Sequence, residues 1–216
     1  HGDRVFLPRR RPHATEPIAF SRLLVDVDAL AAALLDLGVR HGDRVGLLAE
    51  NRYEWLLIDL ALASIGAPDV PRGSDTTPPE MEFILRHSGA RFCFTEDDRT
   101  ARELLAMQPR LPALERIVVM QDTTAVPGAL ALADLLRRGH AALTAHAAAL
   151  AAARAAVRPQ DLLTIVYTSG TTADPKGVML THANVLANVR DVCQVLHITA
   201  KDSFLSVLPA WHMYER

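Results

Sequence analysis

Segments that favour strands and segments that favour helices alternate along this sequence, and the alternation limits its fold more than any other feature. Short apolar runs at residues 45–49, 91–95 and 116–120 predict strands. Apolar residues at helical spacing predict helices elsewhere, as at residues 22–37. Parallel neighbouring strands need a crossover of about a dozen residues or more, usually a helix. The order therefore predicts an α/β fold with a mainly parallel sheet and helices on both faces.

Two of the predicted helices carry capping signals at their starts. Asn51 followed by Glu54 predicts a capping box at the first residues of one helix. Thr77 followed by Glu80 predicts a second capping box, and Gly89 is the expected C-terminal stop of that helix. Both helices are therefore expected to begin at these polar residues.

The second half of the chain is predicted to continue the alternation. Residues 141–156 contain 11 alanines among 16 positions, which favours a helix that has little area to bury and lies on the surface. Strands are predicted at residues 162–167, 177–180 and 204–208. A helix is predicted at residues 182–196, between the last two of these strands.

Composition excludes several classes of protein. The 23 basic and 25 acidic residues give a formal net charge of −2. Nonspecific nucleic-acid binding needs an excess of Lys and Arg, so we expect no nucleic-acid partner. No apolar run reaches the roughly 18 residues of a membrane span. Two cysteines are too few for a disulfide framework and indicate a reducing compartment, so the expected location is cytoplasmic.

The densest chemistry lies between the predicted strands at 162–167 and 177–180. The segment reads Thr168, Ser169, Gly170, Thr171, Thr172, Ala173, Asp174, Pro175, Lys176 and Gly177. Short hydroxyls can donate to phosphate oxygens, and a glycine lets backbone N–H groups approach an anion. Lys176 can neutralise the charge that develops as pyrophosphate leaves. The pattern predicts a polyphosphate-binding loop; the alternative is a flexible linker, which has no need of the Pro-Lys-Gly ending.

A Walker A loop is the main competing interpretation of this segment. Gly170 and Lys176 have its spacing, but Pro175 stands at the position of the second glycine and lacks a backbone N–H. Gly177 replaces the metal-binding hydroxyl, and a strand follows where a Walker loop would open a helix. A kinase or GTPase is therefore excluded.

The segment at 167–177 resembles the phosphate-binding signature of the adenylate-forming superfamily, which includes acyl-CoA synthetases, adenylation domains and luciferases. Residues 178–184, 37–45 and 50–55 are also similar to stretches of that family. Ala173 departs from the pattern, because the family has glycine there. Alanine costs about 1 kcal/mol if that position needs a positive φ.

Three further stretches, at 69–75, 86–88 and 208–216, resemble long-chain acyl-CoA and acyl-carrier-protein synthetases. The resemblance implies an enzyme that uses ATP and Mg²⁺ to convert a fatty acid to an acyl-adenylate. It then transfers the acyl group to coenzyme A or to the phosphopantetheine thiol of a carrier protein. An aryl- or amino-acid-activating domain is one alternative, and a non-catalytic nucleotide-binding relative is another.

The resemblance also implies roles for individual residues. The phosphates would be held by Thr168, Ser169, Gly170, Thr171, Thr172 and Lys176. Thr168 matches the magnesium contact, while Trp211 and His212 match a motif beside the acyl site and the α-phosphate. Lys176 and His212 are the candidate catalytic residues. For Trp211 and His212 the alternative is an ordinary packed aromatic and an ordinary histidine.

The chain is expected to be the N-terminal portion of the large domain of such an enzyme. Residues 1–157 would form an α/β subdomain, and residues 158–216 would carry the phosphate loop and the start of the acyl-site segment. A C-terminal domain with a further catalytic lysine is expected to be absent, so these 216 residues alone should be inactive. The arginines at 9–11 suggest contact with an acidic carrier protein or a peripheral contact with anionic lipid; a solvated hairpin is the alternative. The sequence does not specify an oligomeric state.

Overall fold

The computed structural model describes residues 3–11, 14–168, 174–199 and 201–213. In those ranges a two-stranded antiparallel hairpin precedes a seven-stranded sheet. The hairpin strands are β1 (Val5–Arg11) and β2 (Ala14–Ala19). The sheet strands are β3 (Val45–Leu48), β4 (Asp69–Arg72), β5 (Phe92–Thr95), β6 (Arg116–Val119), β7 (Ala129–Ala131), β8 (Leu162–Thr168) and β9 (Lys176–Thr181). Their order is β7-β6-β5-β3-β4-β8-β9, and every neighbouring pair is parallel except β8 and β9.

Helices connect the strands as the alternation predicts. They are α1 (Phe20–Asp36), α2 (Tyr53–Ser64), α3 (Pro78–Ser88), α4 (Asp98–Met107), α5 (Leu132–Ala156) and α6 (His182–Val195), with a short 3-10 turn at Gln108–Arg110. None of these helices is long and apolar enough to cross a membrane. Helix α4 and strands β4 and β7 were not among the predicted elements, and the N-terminal hairpin was considered only as an alternative for residues 9–11.

Buried side chains divide between the two faces of the sheet. Leu47 and Phe94 pack in one cluster with residues of α1, α2 and α5. Leu48 and Cys93 point to the opposite face and pack with residues of α3 and α4. Successive side chains of a strand alternate between faces, so a run that is apolar at every position must be covered on both. The prediction of a mainly parallel sheet with helices on both faces is confirmed.

The alanine-rich helix α5 packs along α1 on the outside of the sheet. Most of its residues are exposed, as predicted, and the helix begins at Leu132, well before the alanine-rich stretch. At Gly139 an added Cβ would lie 1.9 Å from the carbonyl oxygen of Ala29, so the two helices touch through backbone there. A buried carboxylate, Asp26, reinforces the contact, since it lies 2.9 Å from His140 Nε2 and accepts a hydrogen bond from the Tyr53 hydroxyl.

The two capping predictions have different outcomes. The Thr77–Glu80 capping box is present at α3, and Gly89 ends that helix with φ of 65°. The capping box at Asn51 is wrong, because the N-cap of α2 is Arg52 and has no side-chain cap bond. Glu54 pairs with Arg52 at 2.8 Å instead, and the Asn51 amide bonds to a distant part of the chain.

The strand predicted at residues 204–208 is also wrong. These residues have no regular secondary structure, and they form no ladder with another described strand. An extended apolar segment becomes a strand only where a neighbour supplies hydrogen-bond partners, which local pattern cannot show. Phe204 and Leu205 are instead 70% and 85% exposed.

Candidate functional site

The predicted phosphate loop joins two neighbouring antiparallel strands. In the register of β8 and β9, Thr168 lies opposite Lys176 and Tyr167 lies opposite Gly177. The loop residues Ser169, Gly170, Thr171, Thr172 and Ala173 lie outside the described residues. Residues directly opposite each other in an antiparallel pair present their side chains on the same face. The hydroxyl of Thr168 and the ammonium of Lys176 therefore flank the mouth of the loop, and both residues are exposed.

Strand β8 is held against the parallel part of the sheet at its carboxyl end. Tyr167 is only 3% exposed, and its hydroxyl lies 2.7 Å from Nδ1 of His87 on α3. Its carbonyl oxygen accepts a 3.2 Å hydrogen bond from Nη1 of Arg72, the last residue of β4. Burial raises the pKa of the Tyr167 phenol, which therefore stays protonated and able to donate at neutral pH. The residue before Thr168 is thus fixed at both its backbone and its side chain.

Close packing within the hairpin also depends on Gly177. A Cβ at Gly177 would lie 3.0 Å from Ile165 Cγ2 and 3.2 Å from Tyr167 Cζ, tighter than ordinary contact. The glycine that closes the sequence signature therefore lets β9 approach the buried face of β8. This is a structural role that the phosphate-binding interpretation did not assign.

Helix α6 begins directly after β9 and is tied back to the start of β8. Thr181 and Asn184 form a capping box, and the His182 N–H donates to the carbonyl of Asp161 at 3.1 Å. Burial lowers the pKa of His182, so its imidazole is neutral over a wider pH range than an exposed histidine. The hairpin is therefore anchored at its base as well as at Tyr167.

Trp211 and His212 lie in a turn at the same edge of the sheet. An added Cβ at Gly73 would lie 2.7 Å from Cζ2 of Trp211, so the indole covers Gly73 directly. Gly73 follows Arg72, which contacts Tyr167, so the acyl-segment and phosphate-loop residues converge on the end of β4. His212 is exposed in this turn, whereas Trp211 is half-buried.

The donors at the mouth of the hairpin suit a phosphate ligand. An ammonium and a hydroxyl stand exposed on one face of a strand pair, and a polyphosphate accepts hydrogen bonds from both. One hydroxyl also suffices on the protein side for Mg²⁺, which keeps few protein ligands and bridges phosphate oxygens. The described residues therefore fit a polyphosphate, such as that of ATP, together with Mg²⁺.

Sequence reasoning missed three residues that position these groups, namely Arg72, His87 and Asn51. Arg72 and His87 lie in the stretches at 69–75 and 86–88 that resemble long-chain synthetases, so the resemblance marked them without giving a role. Their common partner is Tyr167, 95 and 80 positions away in sequence. A pattern read over a few adjacent residues cannot indicate contacts between residues so far apart in sequence.

Comparison with known proteins shows the family of this chain. The family model described as AMP-binding enzyme matches residues 1–216. The chain is 36% identical over 197 residues to the peroxisomal long chain acyl-CoA synthetase 7 of Arabidopsis thaliana, which covers 87% of this chain and 27% of that protein. It is 29% identical over 226 residues to the chloroplastic long-chain-fatty-acid–acyl-carrier-protein ligase AEE15 of Arabidopsis thaliana, covering 100% of this chain and 31% of that protein.

A crystal structure shows the same fold. The long-chain-fatty-acid-CoA ligase FadD1 of Archaeoglobus fulgidus has a TM-score of 0.76 and 24% identity, over 96% of this chain and 39% of that one. The chain spans less than one third of the length of the two curated relatives from Arabidopsis thaliana. With its whole length matched by the family model, the chain belongs to the family of AMP-binding enzymes.

Proposed function

We propose that this chain forms the N-terminal part of an ATP-dependent ligase that activates long-chain fatty acids. The observation that carries the proposal is the β8–β9 hairpin, which presents Thr168 and Lys176 as a cross-strand pair beside the loop at 169–175. The proposed division places the α/β subdomain at residues 1–157 and the phosphate loop with the start of the acyl segment at 158–216. A C-terminal domain would lie in the remainder of the protein.

The proposed reaction overcomes the poor reactivity of a carboxylate. A carboxylate oxygen of the fatty acid attacks the α-phosphorus of ATP, the bond from that phosphorus to the bridging oxygen breaks, and pyrophosphate leaves with the electron pair. The resulting acyl-adenylate carries AMP as a leaving group. A thiolate then attacks the acyl carbon and displaces AMP, giving a thioester.

Lys176 is the residue proposed to stabilise the departing pyrophosphate. Its ammonium stands at the mouth of the loop, where negative charge accumulates on the leaving oxygens. Thr168, Ser169, Gly170, Thr171 and Thr172 would orient the phosphates through hydroxyl and backbone N–H groups. When bound, Mg²⁺ supplies further charge neutralisation, and Thr168 is the residue proposed to contact it.

On the acyl side, Trp211 and His212 are proposed to line the site. The indole that covers Gly73 provides an apolar wall, and the exposed His212 can donate a hydrogen bond toward the carboxylate or the α-phosphate. The names of the two relatives support a long-chain fatty acid, with coenzyme A in one case and an acyl-carrier protein in the other. Either thiol is a candidate acceptor here.

Location and peripheral membrane contact remain part of the proposal. The two relatives are named as peroxisomal and chloroplastic, so the cytoplasmic location is a prediction about this protein. Residues 9–11 lie in β1 of the N-terminal hairpin, and their side chains lie outside what the structure describes.

The test is pyrophosphate exchange by the intact protein, with a long-chain fatty acid and Mg-ATP. Lys176→Ala should lower the exchange rate by about a hundred-fold, the usual effect of removing one group that stabilises developing charge. Lys201→Ala is the matched control, because Lys201 is the other lysine of the chain and is exposed outside the hairpin. Equal rates in all three proteins would remove Lys176 from the mechanism. The 216 residues alone should show no exchange, and turnover by them would contradict the proposed division.

A further inference from the structure

Residues 50–55 are similar to a stretch of the family, and the proposed function assigns them no role. Its asparagine was expected to cap α2, yet that helix begins after Arg52 without a side-chain cap. The Asn51 amide makes two hydrogen bonds elsewhere. Its Nδ2 donates to the carbonyl of Leu208 at 2.6 Å, and its Oδ1 accepts from the N–H of Ala210 at 2.6 Å.

These two bonds hold the backbone that leads into Trp211 and His212. Among the described residues, they are the hydrogen bonds that join residues 203–213 to the rest of the fold. They span 157 and 159 positions in sequence. One amide thus uses both its donor and its acceptor on one short segment, which fixes the orientation of that segment as well as its location.

The residue before Asn51, Glu50, is hydrogen-bonded to segments that follow two neighbouring strands. The carboxylate of Glu96, just after β5, accepts the N–H of Glu50 at 2.9 Å. The carboxylate of Glu50 accepts both the N–H and the hydroxyl of Ser74, just after β4, at 3.0 and 2.6 Å. The turn that carries Asn51 is therefore tied to the loops on both sides of it at the carboxyl edge of the sheet.

We propose that Asn51 is a positioning residue that holds Trp211 over Gly73 and sets His212 at the acyl side of the site. The proposal rests on the proposed function for its kinetic consequence, but not for its structural one. The packing of Ala210 against the core cluster and the contact of the indole with Gly73 complete the attachment. Asn51 acts through this segment and touches no substrate itself.

The first test measures the segment without reference to activity. Amide hydrogen exchange of peptides from the intact protein is compared for wild type, Asn51→Ala and Asn51→Asp. In Asn51→Ala, residues 208–212 should exchange about ten-fold faster, because both hydrogen bonds are lost. Asn51→Asp should also speed exchange at 208–212, because its carboxylate still accepts the Ala210 N–H but sets a second acceptor against the Leu208 carbonyl oxygen, which repels it. Residues 162–168 of β8 should be unchanged in every variant.

The control is Gln160→Ala, which removes an exposed carboxamide from the turn before β8. It should leave exchange at 208–212 as in wild type. Gly73→Ala is an independent variant that keeps Asn51 but places a Cβ where the indole lies, so it should also speed exchange there. Unchanged exchange at 208–212 in Asn51→Ala would overturn the proposal whatever the enzyme's activity.

The second test separates positioning from general damage. In Asn51→Ala, kcat/KM for the fatty acid should fall about ten-fold while KM for Mg-ATP changes less than about two-fold. Asn51→Asp should also lower kcat/KM for the fatty acid, because it loses the donor to Leu208. Equal effects on both substrates would show a merely structural role and overturn the proposal. If wild type shows no ligase activity, the proposed function fails on its own, and the exchange experiment alone decides whether Asn51 holds the segment.

Discussion

Two regions of this molecule differ in how much of their apolar side chains is exposed to solvent. Around β3, β5 and β6, helices cover both faces of the sheet, and Phe94 is 0% exposed. From β9 onward the described residues leave large apolar groups open, and Phe204 is 70% exposed. No residue of helix α6 is fully buried, and His182 at its start is half-buried. Burial of apolar side chains in the covered region therefore supplies most of the free energy of folding, and the open region contributes little by this effect.

The hairpin formed by β8 and β9 lies on the boundary between these two regions. Strand β8 pairs with β4 on its covered side and with β9 on its open side. Tyr167 joins β8 to the covered region through Arg72 and His87, whereas Lys176 extends from the open strand. One strand of the hairpin is therefore anchored to the covered region, and the other presents an exposed lysine.

The largest expected effect compares one phenylalanine from each region. Phe94→Ala should lower the free energy of unfolding of the 216-residue chain by about 3–5 kcal/mol, because it opens a cavity in a packed core. Phe204→Ala should change it by less than about 0.5 kcal/mol, since the ring is already in water. Urea unfolding followed by circular dichroism measures both. Similar losses for the two variants would contradict the division into covered and open regions.

A smaller effect is expected where α1 and α5 touch within the covered region. Alanine is a better helix former than glycine by about 1 kcal/mol, so Gly139→Ala would stabilise a helix that was free on that side. Here the new Cβ would meet the carbonyl of Ala29, and the expected result is a loss of about 1–3 kcal/mol. Thermal unfolding decides the sign. A higher melting temperature would show that the two helices are not in backbone contact.

The smallest effect concerns the capping box of α3, and it depends on pH. Hydrogen bonds from the Thr77 hydroxyl and backbone N–H lower the pKa of Glu80, so this carboxylate contributes stability above the ordinary glutamate pKa. The contribution is lost as the pH falls through the lowered pKa. Thr77→Ala should cost about 1 kcal/mol at pH 7. The difference from wild type should shrink below about pH 4 as Glu80 protonates. A difference that stays constant from pH 7 to pH 3 in urea unfolding would exclude Glu80 as its source.

Much of the fold could be predicted because its signals are local. Strands β3, β5, β6, β8 and β9 follow short apolar runs, and the Thr77–Glu80 box lies within four residues of sequence. A phosphate-binding loop could be predicted for the same reason, since its hydroxyls, glycines and lysine are contiguous in sequence. The family model matches the whole chain, while the roles of the individual loop residues stay predictions.

The errors fall where a local pattern fits two structures. Residues 204–208 have the composition of a strand, but a strand exists only with a partner, and no described strand pairs with them. Asn51 has the spacing of a helix cap, but its amide is engaged by Leu208 and Ala210. In the first case a local pattern cannot show whether a neighbouring strand exists, and in the second the partners of the amide lie more than 100 positions away, so spacing alone favoured the wrong structure.

By itself the sequence determined the alternation of most strands and helices and the two apolar faces of the sheet, and it predicted a phosphate-binding loop. These follow from side-chain periodicity, turn residues and hydroxyl density, which act over a few residues. Only the tertiary structure decided that Arg72 and His87 secure Tyr167 and that Asn51 reaches the segment before Trp211. Hydrogen bonds and packing between residues far apart in sequence depend on how the sheet brings strand ends together, and that arrangement arises only when the chain has folded.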